Sequence, residues 1–353
     1  KVYEVNDMDM WSKFSKAAVA VSLTAVVALA AGCGGGAKKA AAPASGAGGK
    51  ITYKLAYALP ASHPLGKGVE TFIAKVKEKT HGEITITPYP AGQLYNDKSM
   101  NDAIMSGGVD MGLNTVGRWA TVIPAMEVFD VPFLFPSYEK VDKAIDGGMG
   151  EKLTAELKKK NVRPIFWADY GFVQFGNAKK EIKKPADFAG LKIRGYSEMS
   201  SETIKALGGS PVTMGAGEVY MAIQRGVIDG QSSGTTAMLE RKMFEVTKYL
   251  TITNHAYPEF ILAMSEKSFA KMSAEQQKAF MEAAKEVQSD LRKNSKNEDL
   301  KAMEALKAKG MQVYVVPEAD LKEWQKATKP CWDIFIKHAG TLGKEMIDIC
   351  TKN

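Results

Sequence analysis

The sequence is poor in the residues that build metal and redox centres. It has 3 Cys and 4 His in 353 residues, with no CxxC, HExxH or paired-His spacing. A structural zinc site needs such ligands at set intervals, so none is expected, and no cofactor is implied. No run of one charge sign is present either. Lys plus Arg number 47 and Asp plus Glu 40, a formal net charge of +7, with the basic residues spread along the chain. Nucleic-acid recognition wants a focused basic patch with aromatic partners, so no nucleic-acid partner is expected; an evenly basic surface suits a protein that meets anions. The apolar run from Ala17 to Ala31 carries no charge but is too short to span a bilayer. What is present in ordinary measure is core material: 45% hydrophobic and 25% charged residues rule out wholesale disorder, and the length allows two domains or one large one.

Behind Lys13 and Lys16, that apolar run has the size of the h-region of an export signal. Residues before Met8 or Met10 are polar and have no role in such a signal, so the start is expected at one of these methionines. The run ends Leu29-Ala30-Ala31-Gly32-Cys33, which resembles the lipobox of bacterial lipoproteins, although Ala30 stands where a larger aliphatic is usual. Lipidation of Cys33 and plain cleavage after Ala30 are the two readings. Residues 1–32 are thus expected to be a signal peptide and 33–50 a flexible tether of Gly, Ala, Ser and Pro, with a reach of about 20–25 Å. The expected location is the periplasm, with the protein lipid-anchored to the membrane. In an oxidising compartment Cys331 and Cys350 are expected to form a disulfide, the alternative being two buried free thiols.

From Ile51 onward, strand and helix patterns alternate. Ile51–Tyr57 reads as a strand, Gly66–Thr80 as a helix with Val69, Phe72, Ile73 and Val76 on one stripe, and Glu83–Tyr89, Lys98–Met105 and Val109–Asn114 as strand, helix and strand. The rhythm returns at Arg163–Asp169, Leu191–Tyr196, Ser200–Leu207, Glu218–Gln224 and Val227–Gln231. Two α/β lobes follow. One helix is longer than a lobe needs: Ser273 and Gln276 form a capping box, and neither Pro nor Gly intervenes before Gly310, giving about 54 Å of helix. Its apolar stripe breaks over the polar stretch Arg292–Asp299, as it would if the helix left one body, crossed an exposed gap and joined a second. The alternative is two helices with a soft joint near Asn294. A cleft between two bodies is where small ligands bind.

Two chemistries compete for the site. Gly230-Gln231-Ser232-Ser233-Gly234 matches G-x-S-x-G, the nucleophile elbow, but the strand before it is short, and His255 is too near in sequence for that fold's usual order. An exported serine hydrolase using Ser232 is therefore the remote alternative. The more informative residue is Arg194, at the C-terminal end of the short apolar strand Leu191–Tyr196. A guanidinium there is costly unless paired, either with an acid of its own lobe or with a bound carboxylate.

A series of motifs in order decides which is expected: Ser62-His63-Pro64; Ala91-Gly92-Gln93-Leu94; Phe129-Asp130-Val131-Pro132-Phe133-Leu134-Phe135; Gly190-Leu191-Lys192-Ile193-Arg194; Glu218-Val219-Tyr220; Gly226-Val227-Ile228-Asp229-Gly230-Gln231; and Thr253-Asn254-His255. Together they resemble the solute-binding proteins of tripartite ATP-independent periplasmic (TRAP) transporters. The resemblance implies a two-lobed α/β fold with a ligand cleft and a long helix spanning both lobes. Lobe I would be 51–170 with 260–299, and lobe II 171–259 with 300–353. It implies no enzyme, a monomer, a small organic anion as ligand and integral-membrane permease subunits as partners.

In that family the arginine matching Arg194 holds the ligand's carboxylate. Two departures bear on the ligand. The family often reads Gly-Phe-Arg-Gln where this chain has Gly171-Phe172-Val173-Gln174, and Glu-Asn where it has Ser232-Ser233. One cation fewer suits a monoanion: a monocarboxylate, a hydroxy or keto acid, or a sulfonate. Ser233 and Gln174 are expected as polar supports, Phe172, Tyr196 and Trp119 as walls, and Thr115 and Arg118 as contributions from lobe I. His63 and His255 fall at cleft-lining positions. If Arg118 supplies a second charge beside Arg194, the ligand is a dicarboxylate instead.

Overall fold

The computed structural model describes residues 49–352. The expected signal peptide, Cys33 and nearly all of the tether lie outside the described residues.

Among the described residues, eleven strands form two sheets. They are β1 (Ile51–Tyr57), β2 (Ile84–Tyr89), β3 (Met111–Thr115), β4 (Val162–Asp169), β5 (Val173–Asn177), β6 (Lys192–Gly195), β7 (Ser210–Thr213), β8 (Gly230–Gly234), β9 (Tyr249–Ala256), β10 (Glu259–Ser265) and β11 (Gln312–Val315). The first sheet runs β2-β1-β3-β10-β4 and the second β11-β9-β5-β8-β6-β7. In the first, β1 pairs parallel with β2 and β3 through right-sized helical crossovers, while β10 enters antiparallel between β3 and β4. An antiparallel strand arriving late in sequence from the other lobe is what joins the two bodies. The chain passes from sheet to sheet at 170–172, at 257–258 and along the long helix, and crosses a fourth time near Lys329 into the C-terminal helix.

The long helix spans Ala274–Ala308, with Ser273 accepting from the Gln276 amide and the Gln276 side chain answering the Ser273 amide. Its first half packs Phe280, Ala283, Ala284 and Val287 into the core under β1 and β4, and its far end packs Leu306 and Met303 against the second lobe. The polar stretch between them is exposed on one face only: Lys293, Asn294, Lys296 and Asn297 meet solvent, and the opposite face is covered. Ser295 and Asp299 are buried, and Asp299 accepts from Tyr138 Oη (2.6 Å), the Phe172 amide (3.2 Å) and Thr235 Oγ1 (3.2 Å). The stretch is polar because the first lobe-to-lobe crossing beneath it offers polar backbone, which an apolar stripe would leave unsatisfied. Gly171 makes that approach possible: its φ is +95°, and a Cβ there would collide with an Asp299 carboxylate oxygen.

The C-terminal segment departs from expectation twice. The lobe bounds that the resemblance implies put Pro330–Lys352 in lobe II. Instead it buries Cys331, Phe335, Met346 and Ile347 in the cluster that holds Trp119, Val128, Phe129 and Leu153 of lobe I. Cys331 and Cys350 are both free thiols. The helix breaks at Gly340 (φ 61°, ψ −145°), and each Cys meets a different surface: Cys350 Sγ lies 3.8 Å from Met149 Sδ, while Cys331 lies by Thr203. Burial pushes their thiols up to about 11 and about 12 respectively, so both stay protonated and inert.

Candidate functional site

Arg194 stands on β6, where neighbouring strands bury it on both flanks and leave 4% of its surface exposed. Nε donates to the Met214 carbonyl (3.2 Å) and Nη1 to the Ser232 carbonyl (3.4 Å). Among the described residues it forms no ion pair, and nothing bonds Nη2. Burial brings the guanidinium down to about 10; Asp97 counters this, and Arg118 and Arg241 add repulsion. It remains charged at neutral pH. The Tyr196 ring lies 5.7 Å from the guanidinium carbon. This is a buried cation held in place by carbonyls with its net charge unmatched by any ion pair, which is the arrangement a ligand carboxylate would complete.

Arg194 lines a partly open cavity of about 60 Å³ between the lobes. Its charged lining is Asp97, Arg194 and Arg241; Asn114, Thr115 and Ser233 add polar groups; Tyr170, Tyr196 and Phe260 are the aromatic walls. Tyr170 stacks on Phe260 with centroids 4.9 Å apart, and its hydroxyl, which accepts from the Gly234 amide, also meets Ser233 Oγ at 3.2 Å. Thr115 Oγ1 donates to the Glu259 carbonyl (3.4 Å). The cleft is shut by bonds that join the lobes: Arg241 Nη2 to the Ala58 carbonyl (2.7 Å), the Ala216 amide to Asp97 Oδ1 (3.2 Å), Tyr196 Oη to Asp130 Oδ1 (3.1 Å) and the Met199 amide to Glu127 Oε1 (2.9 Å).

Arg194, Ser233, Thr115 and Tyr196 thus come together as expected positions on one cavity. The others do not line it. Arg118 Nη2 is held by Asp97 Oδ2 at 2.7 Å, and its side chain borders a separate, more open hollow of about 520 Å³ with Glu127, Glu198 and His338. Trp119 is wholly buried in the lobe I core. Phe172 packs edge-on against Tyr138 and Tyr257. Gln174 clamps the turn at Asn254, accepting from the Thr253 and Asn254 amides (2.8 and 2.9 Å) and donating to Asn254 Oδ1 (2.6 Å).

Both histidines are structural in their contacts. His63 caps the helix Pro64–Lys79 by accepting from the Leu65 amide on Nδ1 (3.1 Å), and its Nε2 meets Thr236 Oγ1 at 3.0 Å. His255 stacks on Phe175 (4.1 Å, 5°) and places Nε2 3.2 Å from Ser232 Oγ and Nδ1 2.7 Å from Thr253 Oγ1. Burial drives both down to about 3, so each is neutral at neutral pH. The Ser232–His255 pair has the contact of a nucleophile and a base. However, Ser232 is wholly buried in the middle of β8, not raised on a turn, and neither residue lines the cavity.

Arg241 and Asp97 were not singled out by sequence. Arg241 sits in the run Glu240-Arg241-Lys242, which reads as a solvated charge cluster; only the closure of lobe II on Ala58 reveals its place. Asp97 follows the Ala91–Leu94 motif but carries no signal of its own.

Comparison with known proteins places this geometry. The sequence pattern of the bacterial extracellular solute-binding proteins, family 7 (DctP), matches residues 55–338. The 2,3-diketo-L-gulonate-binding periplasmic protein YiaO of Escherichia coli is 30% identical over 264 residues, covering 74% of this chain and 80% of that protein. Among solved structures, the sugar acid binding protein of Advenella mimigardefordensis in complex with galactonate superposes with a TM-score of 0.83 at 25% identity, covering 86% of this chain and 99% of that one. A TRAP periplasmic solute-binding protein of Sulfurospirillum deleyianum with bound succinate does so at 0.81 and 28% identity, covering 85% and 99%.

Proposed function

The chain belongs to the bacterial extracellular solute-binding proteins, family 7, as a TRAP-type solute-binding protein, and from that premise we propose that it captures a small organic acid with one carboxylate and delivers it to a membrane permease. The observation that carries this reading is the buried, ion-pair-free Arg194 on the inter-lobe cavity. Arg194 would take the carboxylate, with Ser233 donating beside it, Thr115 lining the site and Tyr196 and Tyr170 walling the ligand. Relatives bind sugar acids, a keto acid and a dicarboxylate, so the class of small organic acid is common to all. Within that class a monoanion is favoured here, because the second charge a dicarboxylate reading would draw from Arg118 is already matched by Asp97. Closure around the ligand is the whole function, the shut form being what the membrane subunits read. Export to the periplasm and anchoring through Cys33 belong to the same reading.

A thermal-shift panel on the full chain tests it, spanning mono- and dicarboxylates, hydroxy and keto acids, and sulfonates, with Arg194→Ala beside the wild type. A ligand at 100 times its Kd adds about 2.7 kcal/mol of stability, readily seen as a raised Tm. A shift with monoanions that disappears in Arg194→Ala supports the reading. A shift undiminished in Arg194→Ala would sink it.

A further inference from the structure

The reading above leaves two charged residues of the cavity without a role. Resting on that reading, we propose that Arg241 is the second cation of the anion site and that Asp97 selects a ligand hydroxyl, so that the ligand is a compact hydroxy monocarboxylate.

Arg241 reaches from lobe II to lobe I. Nη2 donates to the Ala58 carbonyl (2.7 Å) and Nη1 lies 3.5 Å from the Ala216 carbonyl. A guanidinium has five N–H donors, so these two bonds leave donors over, on a residue that lines the same cavity as Arg194. Like Arg194, it has no ion pair among the described residues. Burial lowers its proton affinity and Tyr170 and Asp97 oppose that, and the two guanidiniums repel one another. An anion between them relieves the repulsion and, because Arg241 also bonds Ala58, ties ligand capture to lobe closure.

Asp97 is the counterweight. Burial alone would favour its neutral acid, but Arg118 and Arg194 outweigh burial and hold the carboxyl below its usual range, so it is ionised at neutral pH. Its oxygens already accept from Arg118 Nη2 (2.7 Å) and from the Ala216 amide (3.2 Å). A carboxylate oxygen has a further lone pair, so Asp97 can accept from a ligand hydroxyl. It offers nothing to a keto oxygen, which is another acceptor, and it repels a second carboxylate. Asp97's charge is already matched by Arg118 at 2.7 Å, so Arg194 and Arg241 are both left to grip one carboxylate, while the Asp97 oxygens on the same lining disfavour a second. The cavity, at about 60 Å³, is small, which favours a compact acid.

The test is calorimetric titration of the full chain with glycolate, L-lactate and D-glycerate, against propionate (no hydroxyl), pyruvate (keto) and malate and succinate (two carboxylates). The expected result is tighter binding of the hydroxy monocarboxylates than of propionate, pyruvate or either dianion, by tenfold or more. Arg241→Met should weaken them by roughly 10- to 100-fold with the order kept, the scale of losing one charge-assisted partner. Asp97→Asn should narrow the hydroxy-over-keto preference and raise malate relative to lactate. If Arg241→Met lowers the Tm of the ligand-free protein, Arg241→Lys, which keeps the charge without the fork, replaces it and should weaken binding by a smaller factor. Wild-type affinity in the Arg241 variants, or a wild-type preference for pyruvate, malate or succinate, overturns the inference. Arg194→Met separates the two levels. Loss of binding there with none in Arg241→Met removes this inference alone. Binding unchanged in Arg194→Met removes the anion-site reading with it.

Discussion

Two arginines of the same cleft have opposite surroundings. Arg118, from the first lobe, meets Asp97 at 2.7 Å. Arg194, from the second, meets only carbonyls, at 3.2 and 3.4 Å. Both are largely buried, and sequence offers either as an anion holder. The difference shows that burial of a charge identifies a site only when the charge is left unmatched: the paired arginine is part of the scaffold, and the unpaired one is the part a ligand completes. Acids of the cleft divide the same way. Asp97 is ionised by its arginines, whereas Glu127, buried near Asp130 with no cation bonded to it, is pushed up to about 8, and Asp130 by burial to about 7.

Three experiments break or sharpen that comparison. The largest effect is expected at the unmatched charge: Arg194→Ala should cost at least about 100-fold in affinity for the bound acid by calorimetry, the scale of removing one partner of a desolvated charge pair. Arg118→Met should cost less than about tenfold, since it removes no group from the cavity and acts only by loosening Asp97. Equal losses at the two positions would erase the distinction.

The smallest effect is on stability against pH. Between about pH 4, where these carboxyls titrate in the unfolded chain, and about 7 to 8, where Asp130 and Glu127 titrate in the folded protein, the folded state binds more protons. Stability therefore falls as pH rises through that window. His63 and His255, held down at about 3, act in the opposite direction but only below about 6.5, their unfolded value. From pH 6.5 to 8.5 the histidines drop out, Asp299 (about 7) and the raised Glu259 act in the same direction as Asp130 and Glu127, and the Tm should fall. Glu127→Gln keeps an oxygen for the Met199 amide and should flatten that fall, whereas an unchanged slope would show that Glu127 does not hold the extra proton.

The architecture was legible where burial follows period. The strand of Ile51–Tyr57 and the helix Ala274–Ala308 lie where alternation, the capping box and the absence of Pro and Gly put them. Arg194 was legible because a charge inside a short apolar strand demands an explanation. Other features depend on what the fold brings together, and no local pattern carries that. Arg241 shares its sequence neighbourhood with Glu240 and Lys242, and only lobe closure distinguishes it from them. Trp119 and Phe172 are aromatics near the cleft in sequence whose rings turn into the core. The polar stretch of the long helix resembles a solvent gap because a buried polar crossing and open water make the same demand for polar side chains. The C-terminal helix returns to lobe I because its apolar face finds Trp119 and Phe129 there, a long-range match invisible to sequence order.

The most direct test of the account is a crystal structure of the protein with the acid that raises its Tm most. The account predicts an intact ligand between the lobes, its carboxylate within hydrogen-bond distance of the Arg194 guanidinium and enclosed by Tyr170, Tyr196 and Phe260. A ligand seated in the hollow beside Arg118 and His338, or an acyl group on Ser232, would contradict it.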